Sequence, residues 1–191
     1  MKNIPNANQL SGRAIGSIFV AAFGTGWLFL SLAARQQISF ATVAAVMSGM
    51  VILVGTAFYV MQLAKRWPRV PEDPAVRRSF AWVNVIQWIA VAVVAFSFSK
   101  LRLDAYVTSA IAGIIGLHMF PLARLFRYPL HYATGAVLVG WAVVSAAMLP
   151  LESMQGVTAL GTGIILWLSG AVTLVIALRL ARQAVPAEAV A

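Results

Sequence analysis

The sequence predicts an all-α integral membrane protein with six transmembrane helices, arranged as three helical hairpins. Hydrophobic residues make up 61% of the 191-residue chain and charged residues only 10%. A soluble domain needs roughly a quarter of its residues charged to cover its surface. The basic residues also concentrate between alternate apolar stretches, as they do in membrane proteins. Lipid is therefore the expected solvent of this chain.

Six apolar stretches are each long enough to cross a bilayer, which takes about 20 helical residues because the hydrocarbon core is about 30 Å thick. They are apolar on nearly all faces, whereas the strands of a membrane barrel alternate in polarity. We therefore expect six helices in a single domain over residues 1–191. The predicted spans are about 14–34, 39–63, 80–98, 105–125, 131–149 and 157–180.

The Lys and Arg residues are divided unequally between the two ends of the predicted spans. Eleven of the 14 lie in the N-terminal arm, the second and fourth loops and the C-terminal end. This bias predicts a cell inner-membrane protein with both termini in the cytoplasm. It also accounts for the net charge of +9, so no nucleic-acid partner is expected. A cleaved signal peptide ending near Ala34 is a competing interpretation, but the first apolar run is long for one.

The spans that run from outside to inside end alike, in Leu-Ala, a basic residue and then a proline. These ends are Leu63–Lys65 with Pro68, Leu122–Arg124 with Pro129, and Leu180–Arg182 with Pro186. The opposite spans each carry one tryptophan, namely Trp27, Trp88 and Trp141. A hairpin repeated three times about an axis along the membrane normal explains both patterns. Alternatively, basic residues and prolines simply end inner-membrane helices.

All five acidic residues lie in loops or at helix ends, so no carboxylate is expected at membrane depth; they are Glu72, Asp73, Asp104, Glu152 and Glu188. This argues against a carboxylate proton relay and against an aspartate pair that holds magnesium. The chain has no cysteine, and a lone intramembrane histidine does not hold zinc. We therefore expect neither a metal site nor a cofactor.

Three polar residues each lie six positions from a basic residue at the cytoplasmic end of a span. They are Tyr59, Asn84 and His118. Six helical residues extend about 9 Å, which places all three in one layer. Gln87 shares the helix face of Asn84 one turn deeper. We predict a substrate-binding pocket of these four residues with Arg124, between spans 2, 3 and 4. The alternative is that they only hydrogen-bond across helices.

The second loop, residues 65–78, combines five basic residues, three prolines and Trp67. It is a candidate surface for anionic lipid headgroups or for a protein partner. Alternatively, it only fixes the topology of the chain. The sequence leaves a homo-oligomer or another membrane protein open as a partner.

The run Gly-Leu-His-Met-Phe-Pro-Leu-Ala-Arg-Leu-Phe-Arg at residues 116–127 resembles a stretch of small, uncharacterised bacterial multi-helix inner-membrane proteins. The resemblance implies a bacterial inner-membrane protein and singles out the region from His118 to Pro121. It implies no particular activity.

Three functions remain open from the sequence. The first is a small permease or binding protein for a small neutral or amphipathic molecule. The second is an integral membrane enzyme on a lipid or isoprenoid, in which His118 is the candidate catalytic acid or base and Arg124 binds a headgroup. The third is a structural or accessory membrane subunit.

Overall fold

The computed structural model describes residues 6–71 and 73–182, and these residues confirm the all-helical fold. Six helices occur in the described part of the chain, and each is long and apolar enough to cross a membrane. They are α1 (Ala7–Ala34), α2 (Phe40–Ala64), α3 (Pro74–Lys100), α4 (Asp104–Leu125), α5 (Leu130–Met148) and α6 (Leu151–Ala181). Three residues of the sequence argument, Glu72, Pro186 and Glu188, lie outside the described residues.

The helix starts follow local sequence signals. The side chain of Asn6 caps α1 by accepting a hydrogen bond from the amide of Gln9 at 2.8 Å. Ser39 and Thr42 form a capping box at the start of α2. Asp73 caps α3 and is followed by proline at the first helical position. Such caps satisfy amides that have no partner within the helix. Helices α1, α3 and α6 begin about one to two turns before the predicted spans, because hydropathy locates apolar cores rather than caps.

Three helices end in the same left-handed turn. Gln36, Arg102 and Arg127 have φ values of 54°, 57° and 48° and follow α1, α3 and α4. In each turn the next amide bonds back to the helix, as from Leu103 to the carbonyl of Phe98 at 2.8 Å. This pairing satisfies the last carbonyls of the helix. Short turns of this kind join α3 to α4 and α4 to α5.

The most extensive contact between two helices is that of α1 with α6, which run antiparallel. Gly24 lies against the backbone of Gly163, and the hydroxyl of Ser31 donates to the carbonyl of Gly156 at 2.8 Å. Helix α2 packs against both α1 and α6. Small residues permit this close approach of backbones, which lipid-embedded helices use for packing. We call the end of the bundle where α1 begins and α6 ends the inner end.

The second half of the bundle is built on α4. Helices α4 and α5 form a close pair, in which the backbones of Gly116 and Gly135 lie against each other, and α6 packs on both. The backbone of α3 lies close to that of α4 alone among the described helices, and none of its residues is fully buried. One aromatic side-chain contact also joins α3 to α1. The backbone contacts therefore run from α2 and α1 through α6 to the α4–α5 pair, and from α4 to α3.

The bundle is not a closed ring of three hairpins. In the described residues α2 and α3 do not pack against each other, although α4 packs on α5 and α6 on α1. The three tryptophans that suggested a repeat also differ in environment, since Trp27 is buried, Trp88 is exposed and Trp141 packs on Gly161. The packing is therefore not threefold, and the sequence repeat stays a prediction.

The loop after α2 is held against the inner end of the bundle. Trp67 is buried with Leu10 of α1 and Ala181 of α6, and its indole donates to the carbonyl of Ala181 at 3.4 Å. Asn8 of α1 donates to the carbonyl of Val70 at 2.7 Å. This loop therefore fixes the relative positions of α1, α2 and α6, while its basic residue Arg69 stays exposed.

Candidate functional site

Three of the predicted site residues lie in the region where α3 packs on α4. The imidazole of His118 reaches the backbone of Val83 on α3. Asn84 and Gln87 are both partly buried, and they lie on the side of α3 that faces α4. The amide of Asn84 donates to the carbonyl of Phe80 within its own helix at 2.8 Å. This interface therefore brings one imidazole and two carboxamides into one region of the bundle.

The other two predicted residues lie apart from this group. Arg124 is exposed near the end of α4, six residues from His118 and so about 9 Å along the helix. Tyr59 lies on α2, which packs on α1 and α6, and its ring faces the guanidinium of Arg182 at 5.9 Å. The predicted position of the site between α2, α3 and α4 is therefore corrected. Residues at the same depth in the membrane lie close together only if their helices are neighbours, and α2 is not a neighbour of α3 or α4 in the described part of the chain.

A cavity of about 380 Å³ lies on the face of α1 that is turned away from α6. All its lining residues are apolar: Ala22, Phe23, Gly26, Trp27 and Leu30. Its floor is Trp27, which is buried among core residues of α4 and α5. Phe23 and Leu30 are 46% and 36% exposed, so the cavity opens sideways from the bundle. The cavity is open rather than enclosed, unlike the deep pockets that bury most of a drug-sized ligand.

One aromatic contact connects this cavity to α3. The rings of Phe23 on α1 and Trp88 on α3 are tilted, with centroids 6.3 Å apart. Asn84 precedes Trp88 by four residues and therefore lies one turn nearer the inner end on the same helix face. The apolar cavity is thus followed, toward the inner end, by the polar groups between α3 and α4. An apolar cavity followed by polar groups would suit a molecule with an apolar body and a polar end.

Sequence reasoning missed the buried hydroxyl groups shared by α4, α5 and α6. Ser109 and Ser145 lie 3.2 Å apart through their hydroxyl oxygens, and Thr134 and Ser169 lie 2.7 Å apart. The sequence feature that could have indicated these hydroxyl groups is the four-residue spacing of Thr158 and Thr162 on α6. That spacing places both hydroxyls on one helix face.

The described residues contain no group of three or more His, Asp or Glu side chains suited to a metal ion. Comparisons with protein-family models, with curated proteins and with solved structures find no match to this chain. The class that the fold defines is a polytopic α-helical membrane protein.

Proposed function

We propose that this protein is a permease or binding protein for an amphipathic molecule that enters from the bilayer. The observation that carries the proposal is the apolar cavity on α1, which opens sideways toward the lipid and ends at the Phe23–Trp88 contact. A site of this form admits a guest from the membrane without first exposing it to water. The apolar part of the guest would lie over Trp27.

The polar end of the guest would interact with the group between α3 and α4. His118, Asn84 and Gln87 together offer donors and acceptors for a hydroxyl, carbonyl or amide. The described part of the bundle holds no carboxylate beside them. Facilitated movement or binding therefore fits better than transport driven by a carboxylate proton relay.

The attachment of α3 supports movement of this guest. Since the backbone of α3 lies close to that of α4 alone in the described residues, displacement of α3 from α1 breaks few contacts besides that between Trp88 and Phe23. Elements with few buried contacts are those that open most readily. Helix α3 would then act as the movable side of the site.

The surroundings of the protein are proposed on the basis of charge. Both termini would lie in the cytoplasm of a bacterial cell, with the inner end of the bundle at the cytoplasmic surface. The exposed basic residues of the loop after α2, including Arg69, would contact anionic lipid headgroups there.

The catalytic alternative has less support. General acid–base catalysis by His118 needs a second group that holds the reacting bond. The groups described near its imidazole are the backbone of Val83 and the imidazole of His131, and the described residues bring no carboxylate beside them. Retention of the guest without turnover is therefore the expected behaviour.

The proposal is tested by filling the cavity with a larger side chain and measuring whether the guest still co-purifies. A β-carbon added at Gly26 meets no other atom within 4 Å, and the same is true at Gly55 on α2. Gly26→Leu therefore fills the cavity, while Gly55→Leu is a matched control on another helix. Each protein is extracted in mild detergent, and the molecules that co-purify are identified by native mass spectrometry.

We expect an amphipathic molecule with wild type and Gly55→Leu, and its loss from Gly26→Leu. His118→Ala should weaken its retention while leaving the fold intact. The proposal fails if wild type and Gly26→Leu carry the same molecules. A stoichiometric protein partner in every preparation, with no small molecule, would instead favour an accessory subunit.

A further inference from the structure

Buried hydroxyl groups follow one face of α6. They belong to Thr158, Thr162, Ser169 and Thr173. Spacings of four, seven and four residues place them on the same side of a helix with 3.6 residues per turn. The hydroxyl partners of Thr158, Ser169 and Thr173 lie on α4, on α5 and in the turn between these two helices. Because lipid offers no hydrogen bonds at this depth, each of these groups needs a partner inside the bundle.

At the part of this face farthest from the inner end, three hydroxyl groups form a cluster. The oxygen of Ser109 lies 3.2 Å from that of Ser145 and 3.3 Å from that of Thr158. Ser145 also bonds to the carbonyl of Ala142 at 3.1 Å. Because Ser145 donates its only hydroxyl proton to Ala142, Ser109 donates to Ser145 and Thr158 donates to Ser109. The hydroxyl oxygens of the cluster therefore remain as acceptors for another molecule.

Thr162 lies one turn from this cluster and is fully buried. Its hydroxyl has no hydrogen-bond partner among the described residues. A threonine inside a helix often bonds to the carbonyl four residues earlier, which here belongs to Thr158. Here that carbonyl accepts the indole N–H of Trp141 at 3.0 Å and no hydrogen bond from Thr162. The structure thus presents a polar side chain that is buried, unpartnered and next to a hydroxyl cluster.

The surroundings of Thr162 define the kind of molecule that would satisfy it. The polar groups nearby are hydroxyls, a backbone carbonyl and an indole, and none of these described groups is charged. Leu166, the next residue of this face toward the inner end, is 1% exposed, and Leu138 in the same cluster is fully buried. These two leucines separate the outer hydroxyls from the Thr134–Ser169 pair. The surroundings of Thr162 are therefore neutral, with apolar side chains on the side toward the inner end.

We propose that Thr162, with Ser109, Ser145 and Thr158, forms a second binding site that holds a small neutral hydrogen-bonding molecule of about the size of water. A buried molecule of this kind normally makes two to four hydrogen bonds, and here it would accept one from Thr162 and donate to the hydroxyl oxygens of the cluster. The site is built from α4, α5 and α6. It is therefore independent of the α1 cavity and of the function proposed for it.

Hydroxyl-radical footprinting with ¹⁸O-labelled water tests the proposal on the intact protein in nanodiscs. X-rays convert bound water into radicals, which oxidise the side chains beside it. Trp141 and Leu166 report on the site, and Val60 is a fully buried control in a core of α1, α2 and α6. Thr162→Val keeps the side-chain shape but removes the hydroxyl, whereas Thr162→Ser keeps the hydroxyl.

We expect Trp141 and Leu166 to be labelled more strongly in wild type and Thr162→Ser than in Thr162→Val, while Val60 is labelled equally in all three. Labelling of the buried Leu166 in wild type as weak as that of Val60 would overturn the proposal. Equal labelling in wild type and Thr162→Val would also overturn it, because the hydroxyl would then not hold the molecule. Circular dichroism confirms that each variant keeps its helices.

Discussion

The indole of Trp167 on α6 donates a hydrogen bond to the backbone carbonyl of Ala21 on α1, at 3.1 Å. The same ring lies directly over Gly24 of α1 and Gly49 of α2. One side chain thus connects three helices, and its bond to Ala21 fixes the orientation of the ring. The two glycines are required here because a β-carbon at either position would overlap the indole.

Alanine at Gly24 should destabilise the protein. The new methyl group would meet Trp167 and also approach the carbonyl of Gly163 at 3.1 Å, and overpacking of this kind costs about 1–3 kcal/mol. Gly55→Ala is the control, because a β-carbon there meets nothing within 4 Å. It should be neutral or slightly stabilising, since alanine favours helix. Chemical or thermal unfolding in detergent, followed by circular dichroism, measures both. Equal stabilities for the two variants would contradict the role given to Trp167.

The close pair of α4 and α5 yields a second stability prediction. A β-carbon on Gly135 would meet the backbone carbonyl of Gly116, whereas one on Gly113 makes an ordinary contact with Ala142 at 3.5 Å. Backbone cannot move aside as a side chain can. Gly135→Ala should therefore lower the unfolding free energy by at least about 1 kcal/mol, and Gly113→Ala should change it little. The same unfolding assay compares them, and a Gly113→Ala variant as unstable as Gly135→Ala would argue against the backbone contact.

The helices were predictable from sequence, but their neighbours were not. Runs of about 20 apolar residues are required by the bilayer, so hydropathy finds them without knowledge of packing. The contact of Trp167 with Gly24 and Gly49 depends on which faces of three helices meet. Nearly uniform apolar faces carry no signal for that choice. For the same reason the sequence placed Tyr59 with His118, although α2 packs elsewhere.

The left-handed turn after α1 offers a stabilising substitution. Gln36 has a φ of 54°, a conformation that costs a residue with a β-carbon roughly 1 kcal/mol more than glycine. Gln36→Gly should therefore raise the unfolding free energy by about that amount. Gln37→Gly is the control, since Gln37 lies beside the turn without a positive φ. Greater stabilisation by Gln37→Gly than by Gln36→Gly would be inconsistent with this geometry.

Single cysteines test the proposed orientation, because the chain has none of its own. Gln37 lies exposed between α1 and α2, and Arg69 lies exposed in the loop after α2. With the termini in the cytoplasm, Gln37→Cys should react with a membrane-impermeant maleimide once the outer envelope is permeable. Arg69→Cys should react only after the inner membrane is disrupted. The reverse pattern would place the termini outside.

The contact between Phe23 and Trp88 should control retention of the proposed amphipathic guest. Aromatic pairs contribute about 0.5–1.5 kcal/mol beyond area burial, which corresponds to about two- to tenfold in an equilibrium. Trp88→Ala should therefore release α3 from α1 and lower guest occupancy by up to about that factor. Trp82→Ala removes an indole of similar exposure from the same helix and is the matched control. Native mass spectrometry measures occupancy, and hydrogen exchange of α3 measures its release. Faster exchange with unchanged occupancy would show that α3 moves independently of the guest, and an equal loss of occupancy in Trp82→Ala would remove the specific role of Trp88.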